Sequence, residues 1–202
     1  YYFIISFVIG VGSGTSVVIS QLFGAKQFQK VQLAFSSFFI FMLVGGVILS
    51  ITGIIFAEPV FRLTNTPEEV IPQAVAYFRI YIGGTFLFVT FNSIISILRG
   101  VGESVRPMIF ILITTILNIL LDLLFILVFK WGIEGAARAT VIAQGIGMCV
   151  ALAYVNNTHP LLSIKKQDML FDGKLFKESL KIGLPTSVQQ CAIALGLIAL
   201  LG

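Results

Sequence analysis

Asp122 interrupts the otherwise uncharged stretch 107–129, and Thr114 and Asn118 precede it at intervals of four. On a helix this spacing sets a hydroxyl, an amide and a carboxylate on one stripe among Ile, Leu and Phe. A carboxylate near the centre of a membrane helix costs about 2.5–3.5 kcal/mol on insertion scales, so something must offset it, and an intramembrane ionisable residue reads as functional by default. Asp122 lies 15 residues after Pro107 and 8 before Lys130, about 12 Å from the Lys130 end at 1.5 Å per residue. The next helix is expected to start near Gly135, which places Thr140 about 8 Å inside its own end, level with Asp122 in an antiparallel hairpin. Gly135-Ala136-Ala137 lets the two backbones approach closely.

The carboxylate, the Asn118 amide oxygen and the Thr140 hydroxyl therefore converge as hard oxygen donors. A small hard cation such as sodium wants such a set, whereas a proton needs only a desolvated carboxylate. Spacing does not choose between them. The alternative is an ion pair of Asp122 with Arg138 or Lys130 that merely fixes the hairpin. Gln21, Asn92, Gln144, Gln189 and Gln190 are further polar residues inside apolar runs, candidates either to line a cavity or to act as glue between helices. Gly45-Gly46 and Gly83-Gly84 read either as hinges or as close packing points.

These groups need a membrane around them, and composition supplies it. Of 202 residues only 11% are charged, 13 Lys+Arg against 9 Asp+Glu for a net charge of +4, where soluble domains carry about 25%. Mean hydropathy is +1.03. Uncharged runs cover 1–25, 31–57, 80–98, 139–164 and 182–202, and 107–129 makes a sixth. A helix needs about 20 apolar residues to cross a core of about 30 Å, so all six are long enough to span. A β-barrel is excluded, because Phe38-Phe39-Ile40-Phe41-Met42-Leu43-Val44 shows no alternation. The fold class expected is all-α, a polytopic membrane protein with about six spanning helices.

Sorting the basic residues by alternate connections puts nine (Lys26, Lys30, Arg99, Arg106, Lys165, Lys166, Lys174, Lys177, Lys181) on one face and four (Arg62, Arg79, Lys130, Arg138) on the other. The first face is expected to be cytoplasmic. The first run then enters from outside, and with no initiator Met at least one earlier helix is expected upstream. It lacks the basic start and short apolar core of a signal peptide. The six prolines are expected in connections or near helix starts. Thr66-Pro67-Glu68-Glu69 reads as a capping box that opens a helix well before the run 80–98, with Pro72 as a kink. Residues 172–181 set Lys174, Lys177 and Lys181 on one stripe, which suits a short amphipathic helix on anionic headgroups.

Cys149 and Cys191 lie within spans, and His159 has no Cys or acidic neighbour in sequence, so neither a disulfide nor a zinc site is expected. Gly10-Val11-Gly12-Ser13-Gly14 and Gly100-Val101-Gly102 match neither a phosphate loop nor a dinucleotide fingerprint. No nucleophile and base pair lies in the spans. An enzyme and a nucleic-acid partner are not expected.

Four blocks in order resemble the multidrug and toxic compound extrusion (MATE) family of secondary transporters: Ile19-Ser20-Gln21-Leu22-Phe23-Gly24-Ala25, Leu98-Arg99-Gly100-Val101-Gly102-Glu103-Ser104-Val105-Arg106-Pro107-Met108, Asn118-Ile119-Leu120-Leu121-Asp122, and Gly135-Ala136-Ala137-Arg138-Ala139-Thr140. The resemblance implies a twelve-helix fold in two lobes. Residues 1–163 would supply family helices two to six, 164–181 a cytoplasmic interlobe linker with an amphipathic helix, and 182–202 the start of the second lobe. It implies an antiporter of the plasma (inner) membrane that exports drugs or other amphipathic, often cationic, compounds by alternating access in exchange for sodium or protons. No cofactor beyond that coupling ion is implied, and the full-length protein would be a monomer among membrane lipids. Asn118, Asp122 and Thr140 match the first-lobe cation site of one branch, the Ala136 carbonyl a further ligand position, and Tyr77 a tyrosine of the associated hydrogen-bond network. A second aspartate would come from the preceding helix. Gln144, Asn92 and Gln21 remain the candidates for cavity lining. The rival readings are a lipid-linked oligosaccharide flippase of the same superfamily, which would need cationic residues that no span contains, and a membrane scaffold without transport.

Overall fold

The computed structural model describes residues 2–63, 67–159, 162 and 170–201, and among these there is no strand. The helices are α1 (Tyr2–Gly24), α2 (Phe28–Leu63), α3 (Ile71–Gly83), α4 (Thr85–Gly100), α5 (Val105–Leu123), α6 (Gly132–Thr158) and α7 (Gly173–Leu201), with a π-helical turn, Leu124–Val128, extending α5. Among the described residues five stretches are long and apolar enough to cross a membrane: Ile5–Gly24, Phe28–Leu63, Ile71–Gly100, Val105–Val128 and Gly132–Thr158. The remaining run forms, over 182–201, the C-terminal part of α7. The residues that face outward are those that lipid solvates. On α5, Leu112, Ile116, Ile119 and Leu120 are exposed, while Thr114 is buried and Asn118 and Asp122 are half-buried. A soluble helix does the reverse.

The connections have legible local causes. After α1, Gln27 N–H donates to Leu22 O at 2.9 Å and Lys26 N–H to Phe23 O at 3.0 Å, with Lys26 left-handed at φ 57; this is a Schellman closure on a lysine, where glycine is the usual residue. After α4 the same closure falls on Gly102, at φ 91, with Glu103 N–H donating to Leu98 O at 2.9 Å. The start of α7 is capped by Asp172, whose Oδ1 accepts from the N–H groups of Lys174 at 2.8 Å and Leu175 at 3.1 Å.

Three expectations are corrected. The helix after 67 starts at Ile71, because Pro67–Val70 form a turn, and Pro72 sits in its first turn, where no N–H is required, and so begins the helix instead of kinking it; Thr66 lies outside the described residues. Pro59 and Pro185 are inside α2 and α7, not in connections. For Pro185 the reason is that the amphipathic stretch and the following apolar run form one continuous helix from Gly173. Residues 163–169 of the expected linker, and Pro160, lie outside the described residues.

Contacts divide the chain into two compact units: 1–41, 92–107 and 151–202 make the first, and 42–91 and 108–150 the second. In the first unit α7 packs along α1. Small residues permit it: a Cβ on Gly183 would stand 2.8 Å from Val11 Cα and 2.9 Å from Gly10 O. In the second unit Ser50 of α2 accepts from Phe86 N–H at 3.3 Å, satisfying a first-turn donor of α4. The glycine pair of α2 divides its roles there. A Cβ on Gly46 would lie 2.9 Å from Phe86 Cα, whereas one on Gly45 meets nothing within 4 Å. Gly46→Ala is therefore expected to destabilise by about 1–3 kcal/mol through overpacking. Gly45→Ala should be neutral or gain up to about 1 kcal/mol of helix propensity. Thermal unfolding of the two variants side by side checks this, and equal shifts would refute the packing assignment.

Candidate functional site

Three contacts fix α5 and α6 as an antiparallel pair within the second unit. A Cβ on Gly135 would lie 3.1 Å from Phe125 Cβ, Asn118 meets Thr140, and Gly147 faces the Thr114 methyl. The aromatic residues of the intervening turn hold its geometry. Trp131 lies 4.9 Å from Phe125 and 5.2 Å from Phe129 between ring centroids, and Arg138 sits over the Trp131 ring at 5.0 Å.

The seam between the helices brings together most of the residues singled out from sequence. Asn118 Nδ2 donates to Thr140 Oγ1 at 3.3 Å, and the Thr140 hydroxyl donates to Ala136 O at 3.1 Å. One turn along α5, Asp122 Oδ1 is buried and has no hydrogen-bond partner among the described residues. A buried acceptor of this kind calls for an explanation, and an ion is one of the few available. Arg138 does not supply the missing charge, since its guanidinium donates to Glu134 at 2.8 Å on its own helix. The ion-pair alternative for Asp122 with Arg138 is therefore not what the geometry displays. Immediately after Asp122 the helix widens into the π turn, where Phe129 N–H reaches Leu124 O at 3.1 Å and Trp131 N–H reaches Phe125 O at 2.9 Å. Such turns are frequent at functional sites.

Not every candidate joins this group. Tyr77, on α3, stacks on Tyr81 at 5.7 Å and lies within electrostatic reach of Asp122 without hydrogen bonding to it. Thr114 spends its hydroxyl on Phe110 O and Ile111 O, at 3.1 and 2.8 Å, and turns only its methyl toward α6. Asn92 is half-buried and Gln21 exposed, and both belong to the first unit. Gln144 does belong to the seam. It continues the Ala136, Thr140 stripe of α6 by one more turn, and its Oε1 is buried with no partner among the described residues. The interval of four was readable from the start, but nothing in the sequence marks this Gln above the others.

Sequence reasoning missed a second polar cluster, in the first unit. Glu103 accepts from the Tyr154 hydroxyl at 3.1 Å on each carboxylate oxygen, its Oε1 lies 3.1 Å from His159 Nε2, and Arg106 covers the Tyr154 ring at 5.6 Å. The acidic partner that His159 lacks nearby in sequence arrives from 56 residues away.

Comparison with known proteins adds the family. The MatE family model matches residues 1–124. Two curated proteins of Bacillus subtilis are similar over nearly the whole chain: the probable multidrug resistance protein YoeA, 34% identical over 100% of this chain and 45% of its own length, and the probable multidrug resistance protein YpnP, 35% identical over 98% and 44%. A crystal structure of MATE in complex with MaL6 superposes with a TM-score of 0.90 at 29% identity, covering 98% of this chain and 44% of that one. The chain thus spans a little under half the length of the relatives it matches. A match to the family model over more than half the chain, on an all-helical multi-pass architecture, places this chain in the MATE family of multidrug efflux transporters.

Proposed function

We propose that the chain carries the ion-coupling half of a secondary exporter that moves small amphipathic, often cationic, compounds outward in exchange for sodium or protons. The observation that carries this reading is the buried, unpartnered Asp122 oxygen beside the Asn118–Thr140 pair. A membrane protein keeps an expensive carboxylate where its charge state does work. Binding of the coupling ion neutralises Asp122, which relieves the cost of its buried charge and shifts the equilibrium toward the conformation that binds the ion better. Export is driven because that conformation differs in its affinity for substrate. The Ala136 carbonyl and Thr140 hydroxyl position the ligand set, and Tyr77 lies close enough to feel the change in charge. Gln21 and Asn92 stay candidates for a cavity lining. The exporter acts as a monomer in the plasma membrane, with lipid as its solvent and no enzymatic step.

The experiment is dye efflux from proteoliposomes that contain the full-length transporter, under separately imposed sodium and proton gradients. Efflux that follows one gradient and stops when it is collapsed supports the reading and names the ion. Efflux indifferent to both gradients overturns it.

A further inference from the structure

Resting on the exporter reading above, the seam between α5 and α6 says which ion it suits. Among the described residues two buried side-chain atoms have no hydrogen-bond partner, Asp122 Oδ1 and Gln144 Oε1, and both are acceptors. An imperfect polar network strands donors as readily as acceptors, and each stranded group is costly to folding. Two stranded oxygens on one seam point to a positive charge that satisfies both. A glutamine acting as glue between helices would have spent its oxygen on a donor.

Helix geometry also tilts the two side chains toward each other. The pairings of Phe125 with Gly135, Asn118 with Thr140 and Thr114 with Gly147 set Asp122 level with about residue 137 of α6, roughly 10 Å along the axis from Gln144 at 1.5 Å per residue. Side chains on a helix tilt toward its own N-terminus. Because the helices are antiparallel, Asp122 tilts one way along the seam and the longer Gln144 the other, and the space they close on is the one flanked by Asn118 and Thr140. Asn118 and Thr140, joined by a hydrogen bond of 3.3 Å, lie between the two along the seam.

We propose that the Gln144 amide oxygen is a ligand of the coupling ion, and that the ion is sodium. The carboxylate alone can hold a proton, and an amide oxygen then adds only acceptance of the hydrogen bond that the protonated carboxyl donates. It matters to a small hard cation that must replace its hydration shell with protein oxygens. Gln144 extends the set of Asp122, Asn118, Thr140 and Ala136 and selects the metal ion over the proton.

The test is the sodium dependence of thermal unfolding for the full-length transporter at constant ionic strength, with choline as replacement, because an ion that binds the folded state raises its melting temperature in proportion to occupancy. Wild type should be stabilised by sodium, Asp122→Asn should lose the response, and Gln144→Leu should need about tenfold more sodium for half the effect, the factor that about 1.4 kcal/mol of lost ligation gives. Gln144→Ala removes the same oxygen with less bulk and should show the same increase in the sodium required; it carries the comparison should Gln144→Leu fail to fold, and a wild-type midpoint there would overturn the role equally. A wild-type midpoint in Gln144→Leu, with the response still lost in Asp122→Asn, overturns the role of Gln144 and leaves the exporter reading standing. Absence of any sodium response in wild type overturns the choice of ion, while the efflux experiment under a proton gradient judges the exporter separately.

Discussion

Asp122→Asn is expected to lower gradient-driven efflux at least about tenfold, since losing as little as about 1.4 kcal/mol of ion binding costs that factor, and to do so in a protein that is as stable as wild type or more so. The two halves of the expectation have one cause. The carboxylate oxygen is buried without a partner among the described residues, and Arg138 does not neutralise it, because Arg138 is held by Glu134. The charge is therefore a liability to folding, about 2.5–3.5 kcal/mol on insertion scales, and Asn keeps the shape while removing it. Without the charge the site cannot distinguish bound from unbound ion, and a transporter that cannot distinguish them cannot couple. A purely structural Asp122 predicts the opposite pattern, with a lower melting temperature and a transport rate that falls only with the amount of folded protein. Measuring efflux per folded molecule together with thermal unfolding separates the two. Full efflux in a well-folded Asp122→Asn protein would end the coupling role.

How much of this was readable before the structure depends on the range over which each feature is encoded. The Asn118, Asp122 and Thr140 grouping was legible because two local facts determine it: the helical interval of four, and a connection so short that the second helix must return against the first. The long helices were legible because an uncharged run of 20 or more residues admits little else in lipid. The π turn at Leu124–Val128 was not, since Leu-Phe-Ile-Leu-Val reads as apolar helix in any register, and only packing around Phe125 and Trp131 decides where the extra residue goes. The Glu103, Tyr154 and His159 cluster was illegible for the same reason on a longer scale, because 56 residues separate the partners and tertiary folding brings them together. Charge misled in one place. The lysines of 174–181 suggested a separate surface helix, yet one helix continues from Gly173 to Leu201, so the boundary in charge is not a boundary in structure.

The glycines at 10 and 14 carry the second large expectation. As a sequence motif they were measured only against nucleotide loops and failed, but on α1 their interval of four makes a smooth face against α7. A Cβ on Gly14 would stand 2.5 Å from Gly183 Cα and 2.6 Å from Ser179 O, and one on Gly10 would collide with Ser187. These obstacles are largely backbone, which cannot rotate away as a side chain can. The small residues of α7, Ser179, Gly183 and Ser187, repeat at the same interval, and Ser187 returns its hydroxyl to Gly183 O at 2.9 Å, so no polar group is stranded by the close approach. Gly14→Ala should consequently force the helices apart by most of an ångström and cost toward the upper end of the about 1–3 kcal/mol typical of overpacking, and Gly14→Val should exceed it. Gly24→Ala, on the same helix with nothing within 4 Å of its added methyl, is the matched control and should leave the melting temperature unchanged. The reading predicts compensation in neither helix alone, because the obstruction of Gly14 is the main chain of α7 and not a side chain that a second substitution could shorten. Thermal unfolding of the three variants in detergent is the measurement; a Gly14→Ala protein that melts with wild type would show that α1 and α7 have slack at this point, and the close-packed seam would have to be abandoned.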